Sequence, residues 1–466
     1  MKLTFANLLL FFFLSTGISK TKPNIVLMFM DDMGYADIGA FGAKSYPTPH
    51  LDRMAKEGRK FTDFYVTEAV CSASRAGLLT GCYNVRIGIN GALGPKSNIG
   101  LSPKEITIAE ICKQKGYATA CFGKWHLGHH QKFLPLQHGF NEFFGLPYSN
   151  DMWPYHPGVL HLPMEERLKR WPHLPLIAGN KVINPQVSGN DQEQLTTQYT
   201  DHAVSFIEKN KNNPFFVYIP HSMVHVPLYV SKKFKGKSGA GLFGDVMMEV
   251  DWSVGQIMRT LRKNDLHKNT LFIFTSDNGP WLNYGDHAGS AAPLREGKGT
   301  MFEGGCREPT LAWWPGMVPA NSKCKEPAMT IDLLPTIASL IDAKLPEHKI
   351  DGKNIWPLFT NDKAKSPQEA YYFFYGNQLQ AVRQEKWKLH FPHGYRTMAG
   401  KPGGTGGIPT NYSKAKIGFS LFDLHVDIGE TKDLKDTYPE IAQKLKTMGE
   451  NFNQRLKNSK RSAGKI

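Results

Sequence analysis

At 466 residues the chain is long enough for one large domain and a smaller one, and its 41% hydrophobic share is that of a globular protein. Its 56 Lys+Arg exceed its 41 Asp+Glu by 15, a surplus that points to nucleic acid, membrane surface or acidic polysaccharide. No helix-turn-helix, zinc-finger or RNP pattern occurs, and no later segment reads as a membrane span, so nucleic acid is disfavoured and no span is expected.

The chain opens with Met1-Lys2, an apolar run from Leu8 to Leu14, and small or polar residues through Gly17 and Ser19. That order describes a secretory signal peptide over residues 1–19, and hence a secreted or periplasmic protein. "NIVLMFM" (24–30), closed by Asp31-Asp32, predicts a strand buried on both faces. "YATACF" (117–122), "FFVYIPH" (215–221) and "LFIFTSDNG" (271–279) repeat the form. Helical patterns lie between them. From 247 to 266, Val250, Val254, Ile257, Met258 and Leu261 share one face. The alternation predicts an α/β sandwich with a mostly parallel sheet, its site beyond the carboxyl ends of the strands.

Residues 151–195, rich in Pro, His and Trp, read as a long loop near the site. Its Trp153, His156, His161, Trp171 and His173 are expected to pack that loop, with stacking on sugar rings as the alternative. Beyond about 365 short alternating strands appear ("AYYFFYG", "LQAVRQEKWKLHF", "FSLFDL"), then a helix from about 438. They predict a smaller antiparallel C-terminal subdomain over 365–466, after a large α/β domain over 20–364. Residues 395–415 read as a Gly-rich loop, and the last ten as a solvated basic tail. The six cysteines (71, 82, 112, 121, 306, 324) are too scattered for a disulfide scaffold, and pairing of Cys112 with Cys121 stays open.

"CSASRAGLLTG" (71–81) places Arg75 one helical turn after Cys71 if Cys71 opens a helix. A nucleophile beside a guanidinium, on a helix terminus with free N–H groups, suits attack on a sulfate or phosphate ester. "MDDMG" and "SDNG" put Asp31, Asp32, Asp277 and Asn278 directly after two strands, four hard oxygen donors for Ca²⁺ or Mg²⁺. In "GKWHLG" strand alternation sets Lys124 and His126 on one face, one a cation and one a proton carrier.

Taken together with "PNIVLMFMDDMGYADIGAFG", "TPHLDRMAKEGRKFTDFY", "GKGTMFEGGCREP" and "FDLHVDIGETKDL", these motifs closely resemble the type I sulfatases of the alkaline-phosphatase-like superfamily. The resemblance runs from about residue 23 to the C-terminus. It implies an alkaline-phosphatase-like sandwich, a formylglycine-generating or radical SAM maturase that converts Cys71 to Cα-formylglycine, and one Ca²⁺ on Asp31, Asp32, Asp277 and Asn278. Arg75 matches the residue that steadies the hydrated formylglycine, and Lys124 and Lys298 match lysines that grip the sulfate. His126 matches the base, and His225 the histidine facing the leaving oxygen. Ser149 resembles a sulfate-contacting serine, while His221, His287 and Arg295 lie near the motifs as possible substrate contacts. Ala73 stands where many members carry Pro, which leaves the maturase open. The expected substrate is a sulfated polysaccharide or oligosaccharide, with a sulfated galactan or glycosaminoglycan foremost. The alternatives are a phosphodiesterase or phosphonate monoester hydrolase of the same superfamily, or a silent polyanion binder if Cys71 is not matured.

Overall fold

The computed structural model describes residues 22–466, so the expected signal peptide lies outside the described residues. Seven strands form the middle of one large sheet: β1 (Asn24–Met30), β2 (Arg59–Tyr65), β3 (Ala118–Lys124), β4 (Glu142–Leu146), β5 (Phe215–Pro220), β6 (Thr270–Ser276) and β7 (Arg307–Trp313). Their spatial order is β2-β7-β6-β1-β5-β3-β4. From β6 to β4 all neighbours run parallel, while β7 is antiparallel to both of its neighbours. Short strands extend both edges: Ser322–Cys324 and Ala328–Met329 beside β2, and Leu176–Ala178 with Lys181–Asn184 beside β4.

The alternation of β1 explains the layers. Val26, Met28 and Met30 turn to one face, where α1 (Pro49–Glu57), α3 (Gly189–Lys209) and α4 (Gly241–Lys263) cover them with Leu51, Met54, Tyr199, Phe206, Val250, Val254 and Ile257. Ile25, Leu27 and Phe29 turn to the other face, against Leu78 and Leu79 of α2 (Cys71–Thr80) and Leu333, Leu334 and Ile337 of α5 (Leu333–Leu340). A strand covered on both sides needs apolar residues at every position, hence the unbroken run.

The C-terminal part is a second sheet, β8 (Tyr371–Tyr375), β9 (Gln378–Gln384), β10 (Trp387–His390) and β11 (Ser420–Asp423), antiparallel in that order, with α6 (Pro439–Lys457) packed on it. Phe373, Ala381, Leu389 and Leu421 meet Leu445 of α6 and Tyr65 of β2 in one apolar core. A buried ionic network adds to this seam. Lys388 donates to Glu303 at 2.8 Å, His390 sits 2.7 Å from Glu430, and Glu430 accepts the Glu303 N–H at 2.7 Å.

Three sequence expectations are corrected. Residues 151–195 hold a helix (Met164–Arg170), a hairpin that pairs with β4, and the start of α3. The hairpin takes its shape from the sheet edge it joins rather than from its own periodicity. The Gly-rich segment is flanked by a ribbon, His393–Thr397 with Ser413–Ile417. The basic tail is not merely solvated: Gly464–Lys465 pairs with Ile99–Gly100, and Arg461 holds Glu105 at 2.7 Å. All six cysteines are buried and free.

His138 is fully buried beneath Trp125, and neither ring nitrogen has a partner among the described residues. Burial pushes its imidazolium down to about 4. An unfolded chain binds this proton near pH 6.5, so the stability it contributes is present above 6.5 and is lost as pH falls towards 4. Between pH 7.5 and 4.5 a His138→Leu variant should therefore lose about 2–3 kcal/mol less stability than wild type in urea unfolding. Equal losses would remove His138 as a source of acid sensitivity.

Candidate active site

The site lies where the parallel strands end. Asp31 and Asp32 follow β1, Lys124 closes β3, and Asp277 and Asn278 follow β6. Cys71 is the first residue of α2, and no side chain caps that helix start. The helix is buried along its whole length and stops at Gly81, whose φ of 67° is a left-handed cap that costs glycine little.

Cys71 stands at the centre. Its Sγ is 3.3 Å from Asp31 Oδ1, and Lys298 Nζ reaches it at 3.4 Å. Lys298 also donates to Asp32 Oδ1 at 2.6 Å and lies 3.0 Å from His225 Nε2. His225 Nδ1 is 2.6 Å from Val226 O, so Nδ1 carries the proton and Nε2 is left to accept. Lys124 is paired with Asp31 and donates to Ser149 Oγ at 2.9 Å. Arg75, one turn after Cys71, donates to Asp277 Oδ2 from Nε at 3.0 Å and from a terminal nitrogen at 2.8 Å.

These charges set each other's protonation. Burial alone would raise the Asp31 carboxyl, but the Lys124, Arg75 and Lys298 cations hold it well below the usual range. Burial pushes the Cys71 thiol far up, reinforced by Asp31, so the unmodified side chain is a protonated, poor nucleophile. Burial also keeps His126 neutral, helped by Lys124 and Arg75.

Oxygen atoms of Asp31 and Asp32 lie with Cys71 Sγ and a ring nitrogen of His225 inside 4.8 Å of one another. Asp32 Oδ2 and Asn278 Oδ1 are buried without a hydrogen-bond partner among the described residues, so this oxygen set fits a hard cation.

The structure thus brings together Asp31, Asp32, Cys71, Arg75, Lys124, Ser149, His225, Asp277, Asn278 and Lys298. His126 joins them by a different route from the one expected. β3 stops at Lys124, and the chain reaches His126 through a positive φ of 59°, not through strand alternation. Both of its ring nitrogens are buried and unpaired among the described residues. Three expected substrate contacts fall elsewhere. Arg295 donates to Glu430 O and Tyr395 Oη and covers Phe302, so it braces the C-terminal seam. His221 is buried against Ser253 of α4. His287 stands half-buried beside Gly407 of the Gly-rich segment.

Two residues beside the site carry no motif of their own. Trp281 packs on the His225 ring and under Lys298 Nζ, and half-buried Asp151 lies within electrostatic reach of His225, Lys124 and Lys298. Trp281 comes directly after "SDNGP", and Asp151 two residues after Ser149, which is the only signal the sequence offers. Trp153, by contrast, is buried with its indole N–H on Val187 O, a packing role as expected.

Sheet, strand-end acids and buried lysines together define an alkaline-phosphatase-like α/β hydrolase. A family model described as "Sulfatase" matches residues 23–343, and one for the C-terminal region of aryl-sulfatase matches 366–466. The chain belongs to the sulfatase family and is a sulfuric ester hydrolase. It is 37% identical to arylsulfatase A of Bos taurus over 92% of this chain and 87% of that protein. It is 38% identical to N-acetylgalactosamine-6-sulfatase of Sus scrofa over 79% of this chain and 72% of that one. Among solved structures, Ps i-CgsB in complex with k-i-k-neocarrahexaose matches with a TM-score of 0.77 and 29% identity, covering 93% of each chain.

Proposed function

We propose that this protein is an exported, Ca²⁺-dependent sulfatase of sulfated carbohydrate whose Cys71 is matured to Cα-formylglycine. The convergence of Asp31, Lys298, Lys124 and Arg75 around the uncapped helix start at Cys71 carries this reading. Asp31, Asp32, Asp277 and Asn278 would hold the calcium, which would offset charge on the sulfate oxygens. A hydrated formylglycine supplies two hydroxyls on one carbon, so that sulfate is expelled as the aldehyde re-forms instead of remaining as a stable ester.

The chain's own side chains do the rest. Lys124, with Ser149 beside it, and Lys298 offer donors on two sides of position 71, where the sulfate oxygens would lie. Neutral His126, with unpaired nitrogens, is suited to take a proton from the nucleophile. The Lys298–His225 contact holds a proton at 3.0 Å, beside the place where a leaving oxygen would need one. Arg75 spans Asp277 and the Lys124 carbonyl and so fixes the ends of β6 and β3 relative to α2.

The names of the relatives and the neocarrahexaose complex support a carbohydrate substrate, and the charge surplus of 15 supports a polyanion. Within that class a sulfated galactan or glycosaminoglycan is foremost. Steering by surface charge is screened by salt. Raising salt from about 0.05 to about 0.5 M should cut kcat/KM about 10-fold or more on a sulfated hexasaccharide, and under about 2-fold on 4-nitrophenyl sulfate. Equal salt sensitivity would argue against a polymeric substrate. Parallel assays on sulfate and phosphate esters test the reaction itself, and faster phosphate turnover would overturn it.

A further inference from the structure

Next to His225 the wall of the site carries polar atoms that the protein leaves without partners. Trp281 Nε1 and Asp151 Oδ1 are each buried and without a hydrogen-bond partner among the described residues. Buried polar groups are nearly always satisfied, and these two lie beside the reacting groups, where a ligand can meet them.

Their surroundings say what kind. The Trp281 ring stands 5.4 Å from the His225 ring and 5.0 Å from the Tyr284 ring. Tyr284 Oη in turn lies 3.3 Å from His156 Nε2. Asp151 reaches both groups electrostatically: His225, Lys124 and Lys298 on the sulfate side, Tyr284 and His156 on the outer side. Aromatic faces with one acceptor and one N–H donor match a sugar ring and its hydroxyls.

Asp151 makes this wall selective. Its carboxylate is held ionised: burial would raise it, but a Ser149 hydrogen bond and the Lys124 and Lys298 cations lower it. An anion at this position accepts a hydrogen bond from a hydroxyl and repels a second sulfate.

We infer that Asp151 is a specificity-determining residue, requiring a free hydroxyl next to the scissile sulfate and rejecting sugars sulfated at both neighbouring positions. The inference rests on the proposed carbohydrate sulfatase activity and narrows its substrate class. A site built to receive a hydrogen bond discriminates strongly, because the unmatched group is left buried and unpaired.

The test uses the matured, full-length enzyme and a galactoside series carrying one sulfate or two vicinal sulfates. Turnover of the monosulfated sugar by wild type reads the proposed activity alone, and the ratio between the two sugars reads Asp151. Wild type should favour the monosulfated sugar in kcat/KM by about 10²-fold or more. Asp151→Asn removes the charge and keeps an acceptor of the same shape. It should raise kcat/KM on the disulfated sugar about 10-fold while lowering it on the monosulfated one. A gain on one substrate cannot come from damaged folding. Equal losses on both sugars, or no preference in wild type, would overturn the assignment.

Discussion

Cys71→Ala is expected to lower kcat by at least about 10⁴-fold with little change in thermal stability. The side chain is 1% exposed, and alanine fits its space without leaving a buried polar group unpaired. No other residue of the cluster supplies a carbon that can bear two hydroxyls. Cys71→Ser sharpens the test, because serine offers a single hydroxyl. It should be sulfated once and then stall, and a peptide mass spectrum would find the ester at position 71. In the native enzyme the same peptide should be lighter than the thiol form and react with carbonyl probes. A fully active native protein carrying an intact thiol would end the formylglycine reading.

Asp277→Ala is the second large effect. Asp277 accepts two donors from Arg75, neither group is exposed to solvent, and the carboxylate is also an expected metal ligand. Its removal leaves the buried guanidinium only the Lys124 carbonyl and a carboxylate of Asp31 at 3.5 Å, a loss worth about 3–5 kcal/mol of stability. Bound calcium, counted by atomic emission, should fall from one ion per chain to a small fraction. With it, kcat should drop by at least about 10³-fold. Asp277→Asn keeps the shape without the charge and should retain more stability than calcium. Full calcium and full activity in the alanine variant would refute the ligand set.

What the sequence disclosed follows from where physics leaves a local trace. β1 reads as an unbroken apolar run because helices cover both of its faces, and Asp31-Asp32 marks the point where the run meets the site. The four-residue spacing of Cys71 and Arg75 survives as one helical turn of α2. Other features depend on partners distant in the chain. The hairpin at 176–184 is ordered by the edge of β4, and Gly464–Lys465 by Ile99–Gly100. His126 was expected from alternation, yet a left-handed turn delivers it, which no periodic pattern can encode. Arg295 lies close to Lys298 in sequence but spends its guanidinium on Phe302, Tyr395 and Glu430. Trp281 and Asp151 gain meaning only once β1, β4, β5 and β6 bring their ends together.

The depth of Cys71 sets an order of events. With 1% of its surface exposed at the buried start of α2, the thiol is out of reach of a second protein once the sheet has closed. On the proposed maturation, the modifying enzyme must act while the chain is still unfolded, during synthesis or translocation. Folding is then the deadline for modification, and a chain that folds first is locked in the thiol form. Rapid overproduction should accordingly yield well-folded protein of low specific activity, and slower synthesis or added maturase should raise the active fraction without altering the fold.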